Sequence, residues 1–214
     1  MKKLFLLVLF AAAAFGQERY LKPVDEAAQD ASFLAFRTKL IAATERKDAK
    51  YLLSIVDPGI SNEFAGTKGI ASFKKEWKLE QKNSKFWGEF LPVIKNGGKF
   101  DGEGANKLKH FSAPYTYSAW PEDLDGFIYS AIGGENVNLR TAPNTNAEIV
   151  GKLSYNIVKT EDQDGVPEGW DKVSTLGGMS GYVKSEFVKR EIGYRAGFEK
   201  KRGRWVMTFF VAGD

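Results

Sequence analysis

The sequence predicts an α+β protein, with a helical N-terminal part packed on a curved antiparallel sheet and a small β-barrel towards the C-terminal end. Three observations carry this. Apolar residues recur at helical spacing between residues 31 and 94. Residues 136–188 are short apolar-alternating runs divided by turn residues, the pattern of strands and hairpins. The chain then closes on GYRAGFEKKRGRWVMTFFVAGD, which reads as strand, turn, strand.

The start of the chain sets an expectation of export. Lys2 and Lys3 form a basic n-region, residues 4–14 are apolar, and Ala14 and Gly16 are small residues at the −3 and −1 positions before Gln17. This is the pattern of a cleaved signal peptide over residues 1–16, too short to span a bilayer that needs about 20 apolar residues. The expected location is periplasmic or secreted, with no transmembrane segment after cleavage. The chain has no cysteine, so a lipid-bearing cleavage-site cysteine, disulfides and thiolate chemistry are all excluded. Removing residues 1–16 takes the net charge from +4 to +2. That field is too weak to argue for nucleic acid, and no basic stripe is interleaved with aromatics. The lysine-rich stretch 74–85 reads as a solvated helix face. With 16 Phe and 5 Trp the chain can fill a core without disulfides.

The elements follow in order. Residues 17–30 are polar and read as a loose leader. Phe33, Phe36, Leu40, Ile41 and Ala43 line one face of a helix over 31–47. Asp48 caps a second helix through Ser54, with Tyr51, Leu52 and Ile55 inward. Asp57-Pro58-Gly59 is a turn signal. Ile70, Phe73 and Trp77 mark a third helix, over 69–78. Phe86, Trp87, Phe90 and Leu91 mark a fourth, over 85–94, closed by Asn96-Gly97-Gly98. His110-Phe111, Tyr115 and Tyr117 alternate like a strand, and residues 127–132 form another. Phe198 leads into a turn at Lys201-Arg202-Gly203, followed by a strong strand over 205–211.

Within 136–188, Val137 and Leu139 alternate and Arg140 follows, and Ala142-Pro143 turns. Ile149, Val150 and Leu153 form a second apolar group, and Ile157 and Val158 a third. Gly169-Trp170 precedes Lys172 and Val173, and Gly181-Tyr182-Val183 closes the series. This order resembles the bacterial SH3-like (SH3b, SH3 type 3) domain, with a loop over 161–168 longer and more acidic than usual. The resemblance implies a barrel over 133–190 that binds peptides or cell-wall peptide groups, commonly as a non-catalytic accessory. The candidate ligand shelf is Tyr155, Trp170 and Tyr182, with Asp162, Asp164 and Glu168 as an acidic rim. The plainer reading is that Trp170 and Tyr182 are barrel core and that the acidic loop residues are simply solvated.

The flanks, 31–132 and 192–214, form the expected host domain. The segment FAGTKGIASFKKEW and the closing F-x-K-x-x-G-R-W-x-M-x-x-F-V-A-G-D phrase resemble the two ends of an NTF2-like fold. That resemblance implies a concave pocket, whose lining would include Trp77, Trp87, His110, Tyr115, Tyr117 and Trp120. An isolated final hairpin is marginal, so the last strand needs sheet partners. Partners before residue 133 would make the barrel an insertion. Catalytic signals are sparse. His110 is the only histidine, which with no cysteine argues against a zinc site. Glu122, Asp123 and Asp125 sit in a Pro-led turn. No HExxH, P-loop, GxSxG or EF-hand motif occurs. The expectation is an envelope protein that is not an enzyme, needs no cofactor and no metal, and binds a peptide, protein or peptidoglycan-derived ligand. Two alternatives stay open. One is a small-molecule or catalytic host pocket, pairing His110 with Asp57 or Glu63. The other is a structural scaffold in which the barrel stiffens the host.

Overall fold

The computed structural model describes residues 16–62, 68–81 and 83–213. The signal-peptide expectation falls almost wholly on residues outside these, as does Glu63.

Among the described residues, four α-helices and one strand form the first part of the fold after a short 3-10 turn at Ala27–Gln29. Helix α1 (Ala31–Glu45) starts where the Asp30 carboxylate accepts the Phe33 amide at 2.9 Å, and α2 (Ala49–Ile55) where Asp48 accepts the Tyr51 amide at 2.9 Å. Both carboxylates satisfy amides that the first helical turn leaves without partners. Asp30 also receives Lys200 at 3.2 Å and Ser32 at 2.5 Å. Burial pushes its carboxyl pKa up, but these three donors outweigh it and hold the group at about 2. Asp30→Ala is expected to cost about 2 kcal/mol at neutral pH, from the cap and the ion pair together. The folded pKa is depressed. The contribution is therefore present above the ordinary carboxylate value of about 3.9 and is lost as pH falls towards 2. Urea curves of variant and wild type should differ at neutral pH and converge near pH 2.

Strand β1 (Val56–Ser61) corrects the turn expected at Asp57-Pro58-Gly59. It is an edge strand with an irregular register between Val56 and Ser61. An edge tolerates a proline that cannot donate to the ladder. The turn chemistry survives inside it, since Asp57 accepts the Gly59 amide at 2.8 Å. Helices α3 (Ile70–Trp77) and α4 (Phe86–Lys95) bury Phe73, Trp77, Phe86, Trp87, Phe90, Val93 and Ile94. Strands β2 (Lys99–Phe100) and β3 (His110–Ala113) follow. The strand predicted through Tyr115 and Tyr117 stops at Ala113. Pro114 there opens a short helix, α5 (Tyr115–Ser118), in which the Tyr117 and Ser118 amides both reach the Pro114 carbonyl.

The remaining strands are β4 (Tyr129–Ile132), β5 (Val137–Arg140), β6 (Ile149–Leu153), β7 (Ile157–Thr160), β8 (Trp170–Thr175), β9 (Ser180–Lys184), β10 (Val188–Lys189), β11 (Arg195–Lys201) and β12 (Arg204–Val211). They form two sheets, ordered β1-β12-β11-β3-β2 and β10-β4-β7-β8-β9-β5-β6. The chain thus builds the seven-stranded sheet between two visits to the five-stranded one. Two expectations change. The five-stranded sheet is not wholly antiparallel, because β1 runs parallel to β12. Strand β4, placed with the flanks by sequence, pairs with β7 and β10 in the barrel sheet.

The helices cover the five-stranded sheet through an aromatic core. Phe33 meets Phe111 with ring centroids 4.2 Å apart and Trp205 at 4.7 Å, while Phe210 meets Phe90 and Trp77 at 5.1 Å. The barrel has its own core of Ile132, Val137, Leu139, Leu153, Val158, Val173 and Val183.

Residues 17–30 are not a loose leader. They run as a strap from barrel to host. Tyr20 bridges Asn156, the Leu21 amide donates to the Tyr155 carbonyl at 2.8 Å, and the Ile157 amide donates to the Arg19 carbonyl at 2.8 Å. Glu18 accepts from Asn156 and from the Gly177 amide, and Arg19 forks onto Asp123 at 2.5 and 2.9 Å. Further on, the Gly98 amide donates to Val24 and Glu26 takes the Phe100 amide at 3.0 Å. Gly97, at φ +64°, lies against the Val24 carbonyl, where a Cβ would not fit. The composition reads as solvated because the polar groups that make these bonds are the same ones a free segment would expose. Leu21 is buried between the sheets with Tyr115, Ala131 and Ile157.

Candidate binding face of the barrel

Strands β8 and β9 alternate strictly. Asp171, Val173 and Thr175 are buried, as are Gly181 and Val183, while Trp170, Lys172 and Tyr182 face outward and are half-buried. The register places Trp170 opposite Lys184, Lys172 opposite Tyr182, and Tyr182 opposite Arg140 of β5. Directly opposed residues share a sheet face, so the two aromatics stand diagonally on one outer surface with three cations between and beside them.

A cleft of about 230 Å³ opens on this face. Its walls include Asn138, Arg140, Trp170, Lys184, Glu186 and Phe187. Arg140 is fixed by donating to the Ala147 carbonyl at 2.7 Å, and Lys184 lies 3.7 Å from Glu186. The cleft combines an indole wall, a phenylalanine wall, two cations, one carboxylate and one amide. That set can hold an extended chain by stacking and hydrogen bonding.

The residues expected from sequence divide among three places. Trp170 lines the cleft, and Tyr182 stands beside it on the same face. Asp162, Asp164 and Glu168 are exposed on the β7–β8 loop and do not line the cleft. That loop is organised by Gln163, whose amide donates to the Lys172 carbonyl and accepts the Lys172 amide, each at 3.0 Å. Asp162 takes the Asp164 amide at 3.0 Å in a local turn. Tyr155 sits at φ +59° in the β6–β7 turn, where its carbonyl holds the strap. Burial raises the Tyr115 phenol pKa, and the neighbouring Tyr155 phenol raises it further, which places Tyr155 at the seam with the host. Sequence reasoning left out Arg140, Lys184 and Glu186 as cleft residues. The period-2 alternation through Trp170 and Tyr182 carries the signal for the first two, once β5 and β9 are known to be neighbours.

The residues that sequence assigned to one host pocket do not gather there: Trp87 lines a cleft of about 400 Å³ with Arg46, Lys47, Leu79, Glu80 and Gln81, and none of the other five lines a cavity described among these residues. Trp77 and Trp87 are buried in the aromatic core, and each indole Nε1 is buried without a hydrogen-bond partner among the described residues. Tyr115 is buried at the seam, Tyr117 lies under the Arg195 guanidinium at 5.0 Å, and Trp120 donates to the Leu124 carbonyl at 2.7 Å. His110 is half-buried at the start of β3, opposite Glu199. Asp57 lies on β1, with β12 and β11 between it and β3, and is held by Lys201 at 2.9 Å. Neither His110 nor Asp57 lines a cavity described among these residues. Lys74 and Lys75 are exposed on α3, as a solvated face requires.

A small barrel of seven short antiparallel strands, with aromatics on its outer face, defines an SH3-like class of binding module. Residues 135–189 match the family described as Bacterial SH3 domain, so the chain carries a bacterial SH3 domain over about a quarter of its length. No curated protein matches the chain. The module gives the protein a binding role in general.

Proposed function

We propose that this is a non-catalytic, exported envelope protein whose barrel binds peptide or cell-wall peptide groups across Trp170. The observation that carries the reading is the outward placement of Trp170 and Tyr182. They are not spent on the barrel core, which is aliphatic, and the cleft that Trp170 lines, with Tyr182 beside it, is walled by barrel residues alone. A purely structural barrel would instead turn its aromatic face onto the host. Arg140 and Lys184 favour ligand carboxylates or backbone carbonyls, while Glu186 leaves one acceptor for an amine. The signal-like start of the sequence supports export, and no helix among the described residues is long and apolar enough to cross a membrane. The host, with helices on a sheet whose last strand follows the Gly203 turn, supports the NTF2-like part of the reading.

Retention on purified sacculi tests this. Wild type should be retained, and Trp170→Ala should lose at least about tenfold in affinity, as anchor aromatics do, while its melting curve stays within about 1 kcal/mol of wild type. Equal retention of both proteins, or of neither, would sink the reading.

A further inference from the structure

The largest cavity described, about 770 Å³, lies at the seam between host and barrel rather than on the barrel's outer face. One wall comes from the end of α4 and the start of α5, with Lys95, Asn96 and Thr116. The other comes from the barrel, with Asp171, Ser185, Lys189 and Arg190. A volume of this size falls within the range of small-ligand sites, roughly 300–1,000 Å³. It shares no lining residue with the Trp170 cleft.

The charges decide what it would take. Asp171 is mostly buried and already faces Arg190 at 3.4 Å. Lys95 reaches Glu45 at 2.9 Å, but both side chains are about half exposed, so that pair is weak and exchangeable. The Lys189 ammonium donates to the neutral Glu186 carbonyl rather than to a carboxylate. Three cations therefore line the cleft against one lining carboxylate: Arg190 is engaged by Asp171, Lys95 is held only by the exposed Glu45 pair, and Lys189 has no carboxylate among the ion pairs of the described residues. Asn96, Thr116 and Ser185 add neutral hydrogen-bonding groups between them.

We infer that the seam cleft binds a short acidic peptide, with ligand carboxylates bridging Lys95 of the host and Lys189 of the barrel. Such a ligand would touch both units at once, and it would leave the outer barrel face free for the occupant proposed above. A cation would meet net repulsion from the same walls. A single small anion would reach one wall only and gain little.

The test uses the whole chain and a tri-glutamate probe followed by calorimetric titration. Saturable binding is expected. The double variant Lys95→Gln/Lys189→Gln should weaken it at least about tenfold, because two charge-assisted contacts are lost, and added salt should weaken it in wild type. Lys95 is exposed and Lys189 half-buried; their neutralisation leaves the Arg190–Asp171 pair in place, and matched melting curves would establish that the variant is folded. Trp170→Ala should bind the probe as wild type does, even where it has lost sacculus retention. The proposal is overturned by absent or non-saturable binding, by an unaffected double variant, by tri-lysine binding equally well, by inorganic phosphate displacing the probe at equal concentration, or by loss of the probe in Trp170→Ala.

Discussion

Phe33→Ala is expected to destabilise the protein by about 3–5 kcal/mol, the largest effect of any single truncation considered for this chain. Phe33 is fully buried in the first turns of α1. Its ring meets Phe100 at 5.5 Å, Phe111 at 4.2 Å, Phe198 at 5.9 Å and Trp205 at 4.7 Å, so it contacts four strands of the five-stranded sheet. Removing it leaves a cavity that stiff rings on every side cannot collapse to fill. The spread of measured costs at fixed chemistry reflects how far a site can relax, and this one is poorly placed to do so. Urea denaturation followed by tryptophan fluorescence gives the number. Leu34→Ala, one residue along and exposed, is the matched control and should change stability by less than about 0.5 kcal/mol. A small loss at Phe33, comparable to that at Leu34, would mean that α1 is not anchored to the sheet through this ring.

Leu21→Asp should change the shape of unfolding as well as its midpoint. Leu21 is 5% exposed and sits between Tyr115 of the host and Ala131 and Ile157 of the barrel. An unpaired carboxylate there costs several kcal/mol or forces the strap out of the seam. The two units have separate cores, and this segment packs and hydrogen-bonds against both. Wild type is expected to unfold in a single calorimetric transition. Leu21→Asp should show two, one for each core, with the combined stability lowered by about 3 kcal/mol. A single, unshifted transition in the variant would show that the strap does not couple them.

How much of this was legible in the sequence depended on range. Asp30, Asp48 and the helix-period aromatics announce their helices because caps and faces are local. Residues 136–188 announce their barrel because each hairpin's alternation and turn are contained within a few residues. The sequence reading went wrong where a residue's partner is remote. Asp57-Pro58-Gly59 has the composition of a turn, and only a parallel neighbour from the far end of the chain makes it an edge strand. Tyr129–Ile132 reads correctly as a strand, but nothing local says which sheet it joins. Glu18, Arg19 and Glu26 read as solvated, because a polar side chain looks the same whether it meets water or a distant amide. The binding face divides in the same way. Trp170 and Tyr182 were visible as aromatics, but their basic rather than acidic surroundings follow from the pairing of β8 and β9 with each other and of β9 with β5.

The position of β12 has a kinetic consequence. It lies between β1 and β11, and its pairing with β1 joins residues as far apart as Val56 and Met207, about 150 positions along the chain. Closing so long a loop is entropically late. Until residues 204–211 arrive, α1 to α4 carry their phenylalanines and tryptophans with no finished sheet to cover them. The barrel needs only strands between residues 129 and 189 and can close on its own contacts. Assembly is therefore expected to run from the middle outward, with a formed barrel flanked by two aromatic arms still to be covered. Such a species is prone to self-association at high concentration and is a natural client for a holding chaperone.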